Sequence, residues 1–105
     1  MTVRILRRRK AAQDAEEIAG HIAKDSLVAA VRFLEKVEST LKDLAEFPGA
    51  GSSFESDHPE LANLRFCRVK GFPNHVVFYV EHTNAIEVVR ILYGARDLDA
   101  ELKKT

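Results

Sequence analysis

Residues Ile86 to Asp97 read Ile-Glu-Val-Val-Arg-Ile-Leu-Tyr-Gly-Ala-Arg-Asp, a run rich in β-branched side chains that breaks at a glycine and then presents an arginine. The β-branched part predicts a buried strand. A strand that ends in Gly94-Ala95-Arg96-Asp97 places a cation at the rim of a sheet, beside Asp97 as a possible helix cap. Arg96 is therefore the first candidate for a functional residue.

The composition predicts one domain that covers residues 1–105, because 105 residues with 46% hydrophobic side chains can supply a single modest core. Sixteen Lys and Arg balance sixteen Asp and Glu, which is not the overall charge of a general nucleic-acid binder. A single cysteine and scattered histidines predict no disulfide, metal site or cofactor. No apolar run reaches the roughly 18 to 20 residues of a membrane span, so we expect a cytoplasmic protein without membrane contact.

Two helices are predicted in the first half, after a short apolar strand around Ile5. The second helix begins with Asp25 or Ser26 as its cap and stops at Phe47-Pro48-Gly49. Because the connection between the helices is short, they form an antiparallel hairpin. The apolar stripe of the first helix, about 14 residues long, consists of Ala11, Ala15, Ile18 and Ile22. The stripe of the second consists of Ala30, Leu34, Val37, Leu41 and Leu44.

The second half predicts strands over residues 64–70, 75–81 and 86–93, which turn-length breaks join into an antiparallel meander. The apolar run Val76–Val80 shows no alternation, which is typical of a central strand covered on both faces. The predicted fold class is α+β, with an N-terminal strand and an antiparallel helix hairpin packed on a C-terminal antiparallel sheet of three to four strands.

Basic residues are the main chemical feature of the sheet half. On adjacent strands some of them can converge into a cluster that binds phosphates or acidic side chains. Arg65 and Arg90 can instead be solvated residues of a strand face. Cys67, inside a predicted strand, is interpreted as a packed thiol. The cluster would be drawn from Arg65, Arg68, Lys70, Arg90 and Arg96.

The order of these elements, together with several motifs, resembles the RelE/ParE superfamily of bacterial toxins, and the ParE branch most closely. The motifs are Ala29-Ala30-x-Arg32-Phe33-Leu34, Leu44-x-x-Phe47-Pro48-Gly49-x-Gly51, Val77-Phe78-Tyr79 and Val89-Arg90-Ile91-Leu92-Tyr93-Gly94-Ala95-Arg96-Asp97. The resemblance implies the toxin of a type II toxin–antitoxin system for plasmid or chromosome stabilisation. It also implies a non-enzymatic inhibitor of DNA gyrase that is neutralised by a ParD-like antitoxin. The toxin would contact DNA only indirectly, through that antitoxin.

The RelE-like branch of the superfamily instead cleaves messenger RNA on the ribosome, with basic residues and a C-terminal tyrosine. Arg68 and Lys70 resemble its basic pair, and Arg96 resembles a further arginine. The chain is apolar near residues 76–77, where that branch carries another arginine, and Leu102 falls near the position of the tyrosine. An mRNA endoribonuclease therefore stays an alternative, as does a non-toxic partner in an autoregulatory antitoxin complex.

The resemblance and the residue pattern together predict two surfaces. Apolar grooves would hold the antitoxin by helix-in-groove and strand-addition contacts. The predicted target-binding residues are Arg96, Tyr93, Arg68 and Lys70. The predicted antitoxin-binding residues are Ile18, Ile22, Leu34 and Leu41, and the alternative for each of these four is a place in the core.

Overall fold

The computed structural model describes residues 2–94 and 98–103 and confirms the predicted α+β fold. Its five strands form one sheet in the order β1-β5-β4-β3-β2. The N-terminal strand β1 joins the sheet in parallel beside β5, and the other pairs are antiparallel. The elements are β1 (Arg4–Arg7), α1 (Arg9–Ala23), α2 (Leu27–Glu46), β2 (Ser52–Ser53), β3 (Leu64–Val69), β4 (Phe72–His82), β5 (Ala85–Tyr93) and α3 (Leu98–Leu102).

The second helix begins and ends where the sequence predicts. Ser26 is its N-cap, since the Ser26 Oγ accepts a hydrogen bond of 3.1 Å from the Ala29 amide. The buried face differs from the predicted stripe, because Phe33 is fully buried whereas Leu34 is 40% exposed. Both positions keep helical spacing from Ala30, and the aromatic ring takes the core position, packing edge-on against Phe72.

The central strand β4 is covered on both faces, as its uninterrupted apolar run predicts. Val77 and Tyr79 belong to the core under the helix hairpin, with Phe33 among their cluster. Val76 and Phe78 belong to a second core on the opposite face. That second core is completed by Leu61, Leu64, Val89, Leu92 and Leu102.

One edge of the sheet is only half covered. β1 pairs with residues 85–88 of β5, so among the described residues no strand lies beside residues 89–93 on that side. The pairing of β5 with β4 shifts there, because Phe78 lies opposite Arg90 while Tyr79 lies opposite Val88. Val89 is thus the extra residue of a bulge, a feature that bends a strand and re-aims its side chains.

Candidate functional site

Arg90 is buried at the half-covered edge, which corrects both sequence-based interpretations of it as a solvated or cluster-forming cation. Its guanidinium donates two hydrogen bonds to the carboxylate of Asp14 on α1, at 2.6 and 2.9 Å. Asp14 also accepts the Ile91 amide at 3.1 Å, in place of a neighbouring strand. Arg90 Nη1 donates to the Glu101 carbonyl of α3. The hydrogen bonds with Asp14 raise the pKa of Arg90. Through Arg90 and Ile91, β5 is thus bonded to Asp14 of α1, and through Arg90 also to Glu101 of α3.

A groove of about 560 Å³, here called the α1 groove, lies between α1 and the open edge of β5. It is lined by two of the predicted antitoxin-binding residues, Ile18 and Ile22, and by Tyr93. The Gly94 amide donates to the Asn74 carbonyl of β4, so the strand alternation directs the Ile91 carbonyl and both backbone polar groups of Tyr93 away from β4 into this groove, while the Ile91 amide already donates to Asp14. The α1 groove therefore combines apolar side chains with a sheet edge that is open for pairing.

His75 lies in the wall of the α1 groove, in contact with the rings of Phe33, Phe72 and Tyr93. Its Nδ1 atom is buried and has no hydrogen-bond partner within residues 2–94 and 98–103. Burial also lowers the pKa of the imidazole, because the charged form is poorly solvated there. This environment was not predictable from the sequence, since the four histidines show no spacing that marks a site.

The other two predicted antitoxin-binding residues lie on α2, in different environments. Leu34 belongs to an exposed apolar row, here called the α2 stripe, in which Leu27 is 72% exposed. Leu41 is 1% exposed and sits in the core under the hairpin, so its side chain is not available to a partner. The α2 stripe consists of Leu27, Val28, Val31 and Leu34.

A second cavity of about 480 Å³, here called the sheet cleft, opens on the face of the sheet away from the hairpin. Two of the predicted target-binding residues border it: Arg68 on β3, and Tyr93 at the end of β5, whose ring lies against His75 on the hairpin side. The Arg68 side chain makes no hydrogen bond or ion pair within the described part of the chain. The full lining is Phe54, Phe66, Arg68, Pro73, Asn74, Val76, Phe78, Tyr93, Gly94 and Leu98.

The other basic residues of the sheet half do not join Arg68. The register shift between Arg68 and Val69 ends the regular alternation of β3, and Lys70 points to α2, where it pairs with Asp43 and lies 3.3 Å from Ser39 Oγ. Arg65 donates to the Gly51 carbonyl at 2.6 Å. The predicted basic cluster is therefore absent among the described residues. The predicted site residue Arg96, like the cap candidate at position 97, lies outside them.

The loop after α2 is tied to the central strand by a buried phenol. Tyr79 donates to the Pro48 carbonyl at 2.7 Å and accepts the Gly51 amide at 3.0 Å. A Cβ atom at Gly51 would lie 2.4 Å from that hydroxyl, so the close approach requires glycine. The two hydrogen bonds of Tyr79 join the motif that ends in Tyr79 to the motif that ends in Gly51. They fix the path of the loop toward Phe54, which lines the sheet cleft.

Neither cavity has the composition of a metal site. Among residues 2–94 and 98–103, no three His, Cys, Asp or Glu side chains are grouped so that they could hold a metal ion. Within the same residues, no helix is long and apolar enough to cross a membrane.

A helix hairpin packed on a mostly antiparallel sheet is consistent with the RelE/ParE-like fold. A solved structure of the chromosomal ParDE toxin–antitoxin system from P. aeruginosa is similar, with a TM-score of 0.68 and 19% identity over 86% of this chain and 94% of that chain. The profile of the ParE toxin of type II toxin–antitoxin system, parDE, matches residues 5–98. This chain therefore belongs to the ParE toxin family of type II toxin–antitoxin systems. No curated protein is matched by its sequence.

Proposed function

We propose that this ParE family member inhibits DNA gyrase in the cytoplasm by binding, without catalysing a reaction. The composition of the sheet cleft supports this: its described lining holds one charged group, Arg68, and no carboxylate or imidazole that could move a proton. Leu102, where the nuclease branch carries its tyrosine, is fully buried in the second core. RNA cleavage needs both proton transfer and several charge-stabilising groups, so this lining favours binding.

A gyrase supercoiling assay with the purified chain tests this function. We expect inhibition of supercoiling together with gyrase-linked DNA breaks, and relief of both when the cognate antitoxin is added. Unchanged supercoiling and no breaks, at concentrations of the chain that stop growth, would refute gyrase as the target.

The antitoxin, in this proposal, is a ParD-like protein that occupies two apolar surfaces. An extended segment would pair with the open edge at residues 91–93 in the α1 groove, beside Ile18 and Ile22. An amphipathic helix would cover the α2 stripe, which includes Leu34. Exposed apolar rows of this kind mark interaction sites, because water contact with them is unfavourable. Contact with DNA would then be made by the antitoxin alone.

Leu34→Asp tests the helix contact against a matched control. Leu34 is 40% exposed and Leu6 on β1 is 39% exposed, so Leu6→Asp places the same charge at equal exposure on a surface outside the proposed contacts. We expect Leu34→Asp to weaken antitoxin binding about tenfold or more in calorimetric titration, since it puts a charge into an apolar contact. Equal weakening by the two variants would contradict the assignment of the α2 stripe.

The second candidate is RelE-like cleavage of messenger RNA, which is favoured by one observation: Arg68 and Tyr93 line the same cleft. Primer extension on translated messages decides between the two, because new message ends on expression of the chain would establish cleavage. A non-toxic role in an autoregulatory antitoxin complex is the third possibility. Growth arrest on expression without antitoxin would exclude that role.

A further inference from the structure

We propose that the sheet cleft binds a protein segment that carries a carboxylate next to an aromatic or aliphatic side chain, and that Arg68 holds the carboxylate. The proposal rests on the proposed function in one respect: the segment would belong to the macromolecule that the toxin inhibits. It adds the chemistry by which that macromolecule is recognised.

The walls of the sheet cleft are suited to a flat or branched apolar group. Phe54 meets Phe78 edge-on with ring centroids 5.4 Å apart, and Phe66 is tilted by 42° against Phe78 at 6.3 Å. Leu98 adds further apolar surface. Rings in such arrangements offer both faces and edges to an incoming side chain. A cavity of about 480 Å³ is in the range of ligand pockets and takes one or two side chains, not a folded element.

The charge in the cleft suits a single carboxylate. Arg68 is the one charged residue in the described lining, and its guanidinium has no partner within the described part of the chain. A guanidinium binds a carboxylate through two parallel hydrogen bonds, which fixes both distance and orientation. A polar group at the edge of an apolar cavity gives specificity in this way, while the aromatic walls supply most of the buried area.

The same geometry disfavours a nucleic-acid strand as the occupant. A phosphate backbone carries one charge per nucleotide and is bound by several cations along its path. Lys70 is engaged with Asp43 and Ser39 on the opposite side of the sheet, and Arg90 is buried against Asp14. The described part of the cleft therefore matches one negative charge better than a row of phosphates.

The test uses the purified full chain and a fluorescein-labelled peptide with one Phe-Glu pair in a Gly/Ser background. We expect saturable binding in fluorescence anisotropy, with changes in the amide NMR signals of Phe66, Asn74 and Gly94 around the cleft. Arg68→Gln is expected to weaken binding about tenfold, as is a Phe-Gln peptide, because each removes one side of a charged hydrogen-bonded pair. Arg4→Gln, the same change on exposed β1, is expected to leave binding unchanged.

Three results would overturn the proposal. These are equal affinity for the Phe-Glu and Phe-Gln peptides, NMR changes located away from the cleft, or an oligouridylate that displaces the peptide and binds more tightly. The gyrase assay separates this inference from the proposed function. Arg68-dependent peptide binding without inhibition of gyrase would support the cleft assignment and refute gyrase as the target. Inhibition of gyrase without such binding would support gyrase as the target and refute the cleft assignment.

Discussion

Removal of the Asp14 carboxylate is expected to be the most damaging single truncation on α1. In Asp14→Ala, the guanidinium of Arg90, which is 3% exposed, loses both of its carboxylate bonds and the Ile91 amide loses its acceptor. Breaking a buried ion pair from one side costs about 3–5 kcal/mol, because the remaining charge stays buried without compensation. A domain of this size has only about 5–15 kcal/mol of stability in total.

Urea and thermal unfolding followed by circular dichroism measure this effect. A loss of about 3 kcal/mol corresponds to a fall in the melting temperature of at least about 12 °C for a chain of this length. Glu16→Ala is the matched control, since Glu16 is an exposed acidic residue on the same helix, and a surface change of this kind costs within about 0.5 kcal/mol. Asp14→Leu combined with Arg90→Leu should recover most of the loss, because an apolar pair leaves no buried charge.

A loss below about 1 kcal/mol in Asp14→Ala would refute this reasoning, since that is the value of a solvent-exposed ion pair. It would mean that water or other groups solvate Arg90 in the variant. The bond from Arg90 to the Glu101 carbonyl gives a second check. Arg90→Ala should release α3, which would appear as faster amide exchange in that helix than in wild type.

Three further predictions concern other parts of the chain. Gly51→Ala should lower the melting temperature, since its Cβ would lie 2.4 Å from the Tyr79 hydroxyl, whereas Gly49→Ala has free space around it and should not. His75→Phe should raise stability by removing the unpartnered Nδ1. In the wild type, the pKa of His75 is lowered in the folded state, so the unfolded chain takes up a proton more readily and stability falls as the pH drops through the ordinary histidine pKa of 6.5. The variant should lose this part of the pH dependence. Arg96→Ala should abolish growth arrest while the antitoxin complex persists in co-purification; loss of folding would instead make Arg96 structural.

The order of the main elements and the ends of α2 were predictable because local signals set them, whereas β2 and the start of β4 at Phe72 instead of residue 75 were not predicted. Ser26 caps α2 through its own hydroxyl, and Pro48 ends the helix because proline cannot continue it. The apolar run of β4 predicted cover on both faces, which both cores provide. β1 was predicted as a strand, but its parallel pairing with β5 was not, because register between distant segments leaves no local mark.

The site was predictable only in part, because side-chain direction depends on long-range packing. Arg68 and Tyr93 do line one cleft, but Lys70 turns to α2 after the register shift in β3. Leu41 lies in the core, and Leu34 is exposed because Phe33 takes the neighbouring core position. Periodicity cannot choose between adjacent residues that both keep helical spacing.

The sequence by itself determined the two long helices, four of the five strands, the central place of β4 and the membership of the ParE toxin family, since each depends on local pattern or on motifs along the chain. Only the tertiary structure decided which cations are free. Arg90 finds its carboxylate in Asp14, 76 positions earlier in the chain, and is therefore buried and structural. Among the residues that the structure describes, Arg68 finds no such partner, and it faces an aromatic cleft. A charge becomes structural or functional according to what the fold brings within hydrogen-bonding distance, and the spacing of residues does not contain that information.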